Sequence, residues 1–130
     1  MRLRILVVDD NELIRKQICG LLQREEFEVI CEASNGLDAV RYAEQLQPDL
    51  VILDITMPLL GGIEAAGRIR RVAPKAPIVF LSQHNLTALS DAALATGAQG
   101  YVLKSDAFKD LIPAIHAAAA GERFVSKLER

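Results

Sequence analysis

Aspartates, a serine and a lysine stand at equivalent places in this chain, each at the end of a run of branched aliphatics. Asp9 and Asp10 follow "RILVV" (4 to 8), Asp54 closes the "LVILD" of 50 to 54, Ser82 closes "IVFLS" (78 to 82) and Lys104 closes "GYVLK" (100 to 104). Asp54 by itself is compatible with a cap or turn residue, but polar groups ending four similar runs point to one shared site. Three carboxylates gathered there repel one another, which raises at least one pKa unless a cation intervenes. A divalent ion that prefers oxygen ligands is the simplest remedy, and Mg2+ with Lys104 would balance the acids in charge. Mg2+ takes one or two carboxylates and keeps waters or phosphate oxygens, which suits a shallow site holding a phosphoryl group. An ionised aspartate is a competent nucleophile toward phosphorus and would form an aspartyl phosphate without a separate general base. Such transfer depends on positioning and charge stabilisation, here from Mg2+, the Lys104 ammonium and the Ser82 hydroxyl.

Strands must position these groups. Runs rich in Val, Ile and Leu recur at 4 to 8, 27 to 33, 50 to 55, 78 to 82 and 100 to 104. Between them, Ile14, Ile18, Leu21 and Leu22, and later Phe108, Leu111, Ile112, Ile115 and Ala119, follow helical spacing. Residues 36 to 47 are bracketed by Asn35-Gly36 and Pro48, 62 to 72 precede Pro74, and 87 to 96 end near Gly97 as a natural C-cap. The alternation predicts an α/β fold, a parallel sheet with helices on both faces. Ligands of such sheets bind beyond the carboxyl ends of the strands, where the polar groups collect. The first, third and fourth runs are apolar on both faces and read as central strands, whereas the second alternates and reads as an edge. Pro113 falls inside the last helix, at about 3 kcal/mol unless the helix kinks. After Gly121, "ERFVSKLER" is charged and aperiodic and reads as a tail or the start of a linker.

At 130 residues, with 51% hydrophobic and 25% charged, the chain has the size and composition of one globular domain. A net charge of -2 supplies no field for holding nucleic acid or anionic lipid. The basic "RIRR" (68 to 71) reads as a solvated helix face. Cys19 and Cys31 lack the clustering of a metal site and read as reduced, buried core thiols. No signal peptide and no run long enough to span a membrane is evident, so the expected location is the cytoplasm.

Asp9-Asp10 after the first run, "DITMPLLGG" from Asp54, Ser82 after the fourth run and "GYVLK" closing the fifth together resemble the response-regulator receiver domain of two-component signalling, over nearly the whole chain. "GYVLKSDAFKDLIPAIHAAAAGERFVS" is similar to the NarL/FixJ (LuxR-type) subfamily. The resemblance implies a flavodoxin-like (βα)5 doubly wound sheet with strand order 2-1-3-4-5. It implies phosphorylation of Asp54 by the phosphohistidine of a sensor histidine kinase or a phosphotransfer protein. It further implies that Asp10, Asp54 and the backbone carbonyl of Thr56 bind Mg2+, which Mn2+ can replace, with Asp9 acting through water. Lys104 would pair with phosphoryl oxygens, and Ser82 would move toward the phosphoryl group while Tyr101 turns inward. Residues 1 to 121 would form the receiver and 122 to 130 would lead toward a helix-turn-helix effector outside the chain, through which alone DNA would be reached. A homodimer on activation is the expected partner state, with no membrane partner and no enzymatic turnover.

Departures from the pattern bear on these expectations. Ser105 follows Lys104 where many receivers have proline, so no cis peptide is expected there. Gln83 is longer than the small residue common after the switch serine, with consequences for phosphoryl lifetime and kinase access. Gly61 replaces a frequent Asp or Asn, and Met57-Pro58 reads as turn chemistry. His84 reads as a loop residue or as an orienter of water. Rival readings are a stand-alone receiver in a phosphorelay, a phosphorylation-independent receiver, and a haloacid-dehalogenase-type hydrolase. Thr56 stands against the last, where such enzymes carry a second acid.

Overall fold

A computed structural model of the chain describes residues 2–25 and 27–128. Contiguous aliphatic runs become strands because both faces can be buried, and the five expected strands form: β1 (Arg4–Val8), β2 (Glu28–Ala33), β3 (Leu50–Asp54), β4 (Ile78–Ser82) and β5 (Gly100–Leu103). They alternate with α1 (Glu12–Arg24), α2 (Gly36–Leu46), α3 (Gly62–Val72), α4 (Thr87–Leu94) and α5 (Ala107–Ala119). A further strand, β6 (Phe124–Val125), extends the parallel sheet, whose order is β2-β1-β3-β4-β5-β6. The order 2-1-3-4-5 is therefore present, with one strand added in the segment read from sequence as aperiodic. Glu129 and Arg130, the end of that segment, lie outside the described residues.

Alternation along each strand divides the core in two. Ile5, Val7, Leu50, Ile52, Val79, Leu81 and Val102 pack against α1 and α5. Leu6, Val8, Val51, Leu53, Ile78, Phe80 and Tyr101 pack against α2, α3 and α4. Each fully buried aliphatic contributes about 1.5–3 kcal/mol. Every residue of β3 and β4 is buried, whereas β2 is half-exposed at the sheet edge. Asn11 caps α1 by accepting from the Ile14 amide at 3.0 Å, and Asn35 caps α2 by accepting from Asp38 at 2.8 Å.

The structure corrects several readings. Phe108 has the right spacing for the core but is 75% exposed, because the buried stripe of α5 runs through Ala107, Leu111, Ala114, Ile115 and Ala118 and leaves Phe108 to one side. Ala119 is likewise exposed, and Ala118 takes the buried position. Cys19 is buried, but Cys31 on the edge strand is only half-buried. Burial pushes the Cys19 thiol up to about 11, with the charge of Glu32 adding to the effect. The cap of α4 is Ala95, with Gly97 two residues on at φ 95°. Arg70 of "RIRR" is not fully solvated, since its Nη1 donates to the Gly97 carbonyl at 3.4 Å. Pro113 sits on the solvent side of α5, which continues through it to Ala119. No cis peptide occurs among the described residues.

Candidate functional site

β1 and β3 lie side by side, so Asp9 and Asp54 emerge from the carboxyl ends of neighbouring strands. One ligand oxygen from each of Asp9, Asp10 and Asp54 can be chosen such that all lie within 4.8 Å of one another. Asp9 and Asp54 are 1% and 4% exposed, whereas Asp10 faces solvent. Asp9 is held from several sides. Its amide donates to Ala33 O at 3.1 Å, its Oδ1 accepts from the Asn11 amide at 2.9 Å, and its carbonyl accepts from Arg15 Nη1 at 2.8 Å. Lys104, the first residue of a 3-10 turn after β5, brings its Nζ to 2.9 Å from Asp9 Oδ2 and 3.4 Å from Asp54 Oδ1.

These contacts set the charge state. Burial pushes the Asp54 carboxyl up to about 6, the negative charge of Asp9 adds to the rise, and Lys104 pulls against it. Burial disfavours the Lys104 ammonium, but the close contact with Asp9 and the charge of Asp54 outweigh it and raise its pKa. Asp9 Oδ2 has the ammonium as an ionic neighbour yet no hydrogen-bond donor in line with it, an unsatisfied state for a buried oxygen. One lysine among three acids leaves negative charge in excess. A hard cation with oxygen preference would relieve both conditions, so the donor set fits Mg2+.

The loop after β3 contains a tight turn close to Asp54. The Leu60 amide donates to Pro58 O at 2.8 Å, closing a tight turn with Leu59 at φ 68°. Gly62 then starts α3 directly behind the strand, its amide donating to Ile55 O at 2.7 Å. A Cβ on Gly62 would collide with the backbone carbonyl of Asp54, so glycine here lets helix and strand meet. The resulting cleft, of about 310 Å³, is lined by Asp10, Asp54, Thr56, Gln83, His84 and Lys104 among others. Ser82 and Tyr101 lie behind it. Ser82 Oγ accepts from the His84 amide at 3.0 Å, and the Tyr101 hydroxyl donates to the His84 carbonyl at 2.6 Å. Tyr101 is fully buried, and burial raises its pKa against the opposing pull of Ser82.

Residues 5–116 match the family profile of the response regulator receiver domain. This chain belongs to that family. The transcriptional regulatory protein PdtaR of Mycobacterium tuberculosis is 39% identical over 128 residues, covering 97% of this chain and 61% of the relative. The nitrate/nitrite response regulator protein NarL of Escherichia coli is 38% identical over 124 residues, covering 95% and 57%. The crystal structure of a LuxR-family two-component response regulator from Aurantimonas sp. superposes with a TM-score of 0.90 at 35% identity, covering 97% of this chain and 90% of that one. The receiver is of the NarL/FixJ (LuxR) type, and it spans about 61% of the length of PdtaR and 57% of NarL.

Of the residues singled out from sequence, the receiver gathers Asp9, Asp10, Asp54, Thr56 and Lys104 around one cleft. Ser82 is turned toward the His84 backbone. Sequence reading missed the residues that fix Asp9, namely Asn11 and Arg15. Asn11 had a readable signal, a capping residue just before "ELIRKQ", but Arg15 had none. Ser126 was also missed. Buried in the C-terminal segment, it accepts from the Leu103 amide at 3.1 Å and donates to Asp110 Oδ2 at 2.7 Å.

Proposed function

We propose that Asp54 is the phosphoacceptor of a Mg2+-dependent signalling switch. The observation that carries this reading is a buried, strand-anchored Asp54 carboxylate, clustered with two further acids and 3.4 Å from a lysine ammonium. The donor is the phosphohistidine of a sensor kinase or phosphotransfer protein. An Asp54 carboxylate oxygen attacks phosphorus, the P–N bond breaks, and its electron pair leaves with the imidazole, which takes a proton. Asp10, Asp54 and the Thr56 carbonyl would hold the ion, with Asp9 acting through water. The bound ion supplies positive charge to the phosphoryl oxygens. Lys104 neutralises further phosphoryl charge, and the Ser82 hydroxyl, still accepting from His84, has its own proton to donate.

The product is an acyl phosphate that lasts as a signal, so the domain acts as an acceptor and not as a turnover enzyme. Tyr101, held inward by His84, is the second switch residue. Its position converts a local charge into a changed surface for partner or dimer contacts. Among the described residues no helix is long and apolar enough to cross a membrane. A cytoplasmic location, an output through a DNA-binding effector and a homodimer on activation complete the reading. Residues 1 to 121 would be the receiver proper and 122 to 130 the way out toward that effector. The similarity to PdtaR and NarL supports this placement.

The test is incubation with Mg2+ and a small acyl phosphate or phosphoramidate, read by intact mass. One added phosphoryl group, lost without Mg2+ and in Asp54→Asn, is expected. Labelling of Asp54→Asn to the same extent as wild type would overturn the assignment.

A further inference from the structure

The segment after α5 returns to the sheet and joins the switch residues by hydrogen bonds. The Phe124 amide donates to Gln99 O at 2.9 Å and the Ser126 amide donates to Tyr101 O at 2.8 Å, so Tyr101 is bonded on both sides. Its side chain holds the loop after β4 through His84, and its main chain holds β6. The Ser126 hydroxyl is buried and bridges the Leu103 amide to Asp110 of α5. Leu103 immediately precedes Lys104, the cation of the site. Two short connections thus run from the phosphoryl cleft to this segment. One passes from Ser82 through His84 and Tyr101 to Ser126, and the other from Lys104 through Leu103 to Ser126.

The docked segment is also poised for change. A strand of two residues is too short to be stable by itself. Its apolar residues are shared between the two cores: Phe124 packs on the side of α1 and α5, and Leu128 on the side of α2, α3 and α4. Val125 is 39% exposed, so the hold rests on few contacts. Segments with few buried contacts open locally at free energies well below that of the whole fold.

We propose that β6 with Ser126 is an output strand whose docking on β5 is coupled to the phosphoryl state of Asp54. This rests on the reading of Asp54 as phosphoacceptor. A phosphoryl group that draws on Ser82 and Lys104 fixes both ends of the hydrogen-bond chain, holds Tyr101 inward and tightens β6. Coupling of this kind is reciprocal: the factor by which the phosphoryl group favours docked β6 is the factor by which docked β6 favours occupancy of the site.

The experiment is amide hydrogen exchange on the full chain, with and without beryllium fluoride and Mg2+ as a lasting mimic of the phosphoryl group. The central amides of Leu6 and Ile52 serve as the reference for global opening. Binding of the mimic is verified separately by its Mg2+-dependent competition with Asp54 labelling. Protection of the Phe124 and Ser126 amides is expected to rise about 5-fold or more relative to the reference. Tyr101→Phe, which loses the bond to His84 but keeps the β5–β6 ladder, is expected to lose most of that rise. Ser126→Ala is expected to speed exchange at Phe124 and to lower the affinity for beryllium fluoride, by at most the factor by which the mimic raises protection of that amide in the wild type. Bound mimic with unchanged exchange at both amides would overturn the coupling and leave the phosphoacceptor reading standing. Absence of both labelling and mimic binding would overturn both.

Discussion

Lys104 stands closer to Asp9 than to the proposed phosphoacceptor, its Nζ 2.9 Å from Asp9 Oδ2 against 3.4 Å from Asp54 Oδ1. The resting ammonium is therefore shared toward the deeper acid, and an incoming phosphoryl group must compete for it. Removing this cation has two effects. Lys104→Met leaves two buried acids without their ionic partner, and breaking a buried pair costs about 3–5 kcal/mol. It also removes one charge-stabilising group from the transfer step, worth about 10²-fold in rate. Urea unfolding and the initial rate of acyl-phosphate labelling, measured on the same variant, are expected to show both losses.

Asp54 gives the metal-free receiver an unusual pH dependence. Its folded pKa of about 6 lies above the ordinary 3.8, so the folded state binds this proton more tightly than the unfolded state. The associated stability is fully present below about 3.8 and is lost as pH rises through about 6. Between pH 5 and 7.5 the metal-free wild type is expected to lose about 1.4 kcal/mol relative to Asp54→Asn. Urea denaturation of both proteins at the two pH values checks this. Mg2+ is expected to remove most of the difference, because its charge favours the carboxylate.

Gly62 is expected to tolerate no side chain. Gly62→Ala drives a methyl into the Asp54 carbonyl and must shift the strand end or the start of α3. A stability loss of about 1–3 kcal/mol is expected, together with loss of labelling at Asp54. Gly67→Ala, whose Cβ meets nothing within 4 Å, is the control and is expected to keep both properties.

Gln83 lines the mouth of the cleft and is exposed. Gln83→Ala opens the approach to Asp54 for phosphodonor and water alike. Faster loading and a phosphoryl half-life shortened about 3-fold or more are expected, followed by intact mass after removal of the donor; a retarding side chain of this size is worth under about 1.4 kcal/mol. His84→Ala is expected to leave the half-life unchanged if His84 acts through its backbone, by which it contacts Ser82 and Tyr101.

Much of this was legible in the residues themselves. β3 and β4 announce their central place because both faces must be apolar, and Asp54 and Lys104 announce the site because polar groups rarely end such runs together. What sequence did not reveal depends on contacts between distant segments. Phe108 obeys the helical period, yet the stripe of α5 that meets the sheet is set by Ala107, Leu111 and Ala114, and Phe108 falls outside it. Cys31 lies in an apolar run, but on the edge strand, where only part of its surface is covered. β6 has two residues and therefore no period to read; pairing with β5 decides its conformation. That Asp9, Asp10, Asp54 and Lys104 would gather was readable, but not that Lys104 favours Asp9 or that Ser82 turns to His84, since rotamers settle those contacts.

The sixth strand also alters what the domain offers to other chains. Without it, the open edge of β5 would present a row of unpaired amides and carbonyls onto which a foreign strand could add. With it, the exposed row on that side shortens to Phe124–Val125, and Arg123 and Lys127 flank it with positive charge. Short edges bearing basic residues resist templated pairing. Loss of β6 docking would therefore show first as self-association at high concentration, before any loss of the folded core.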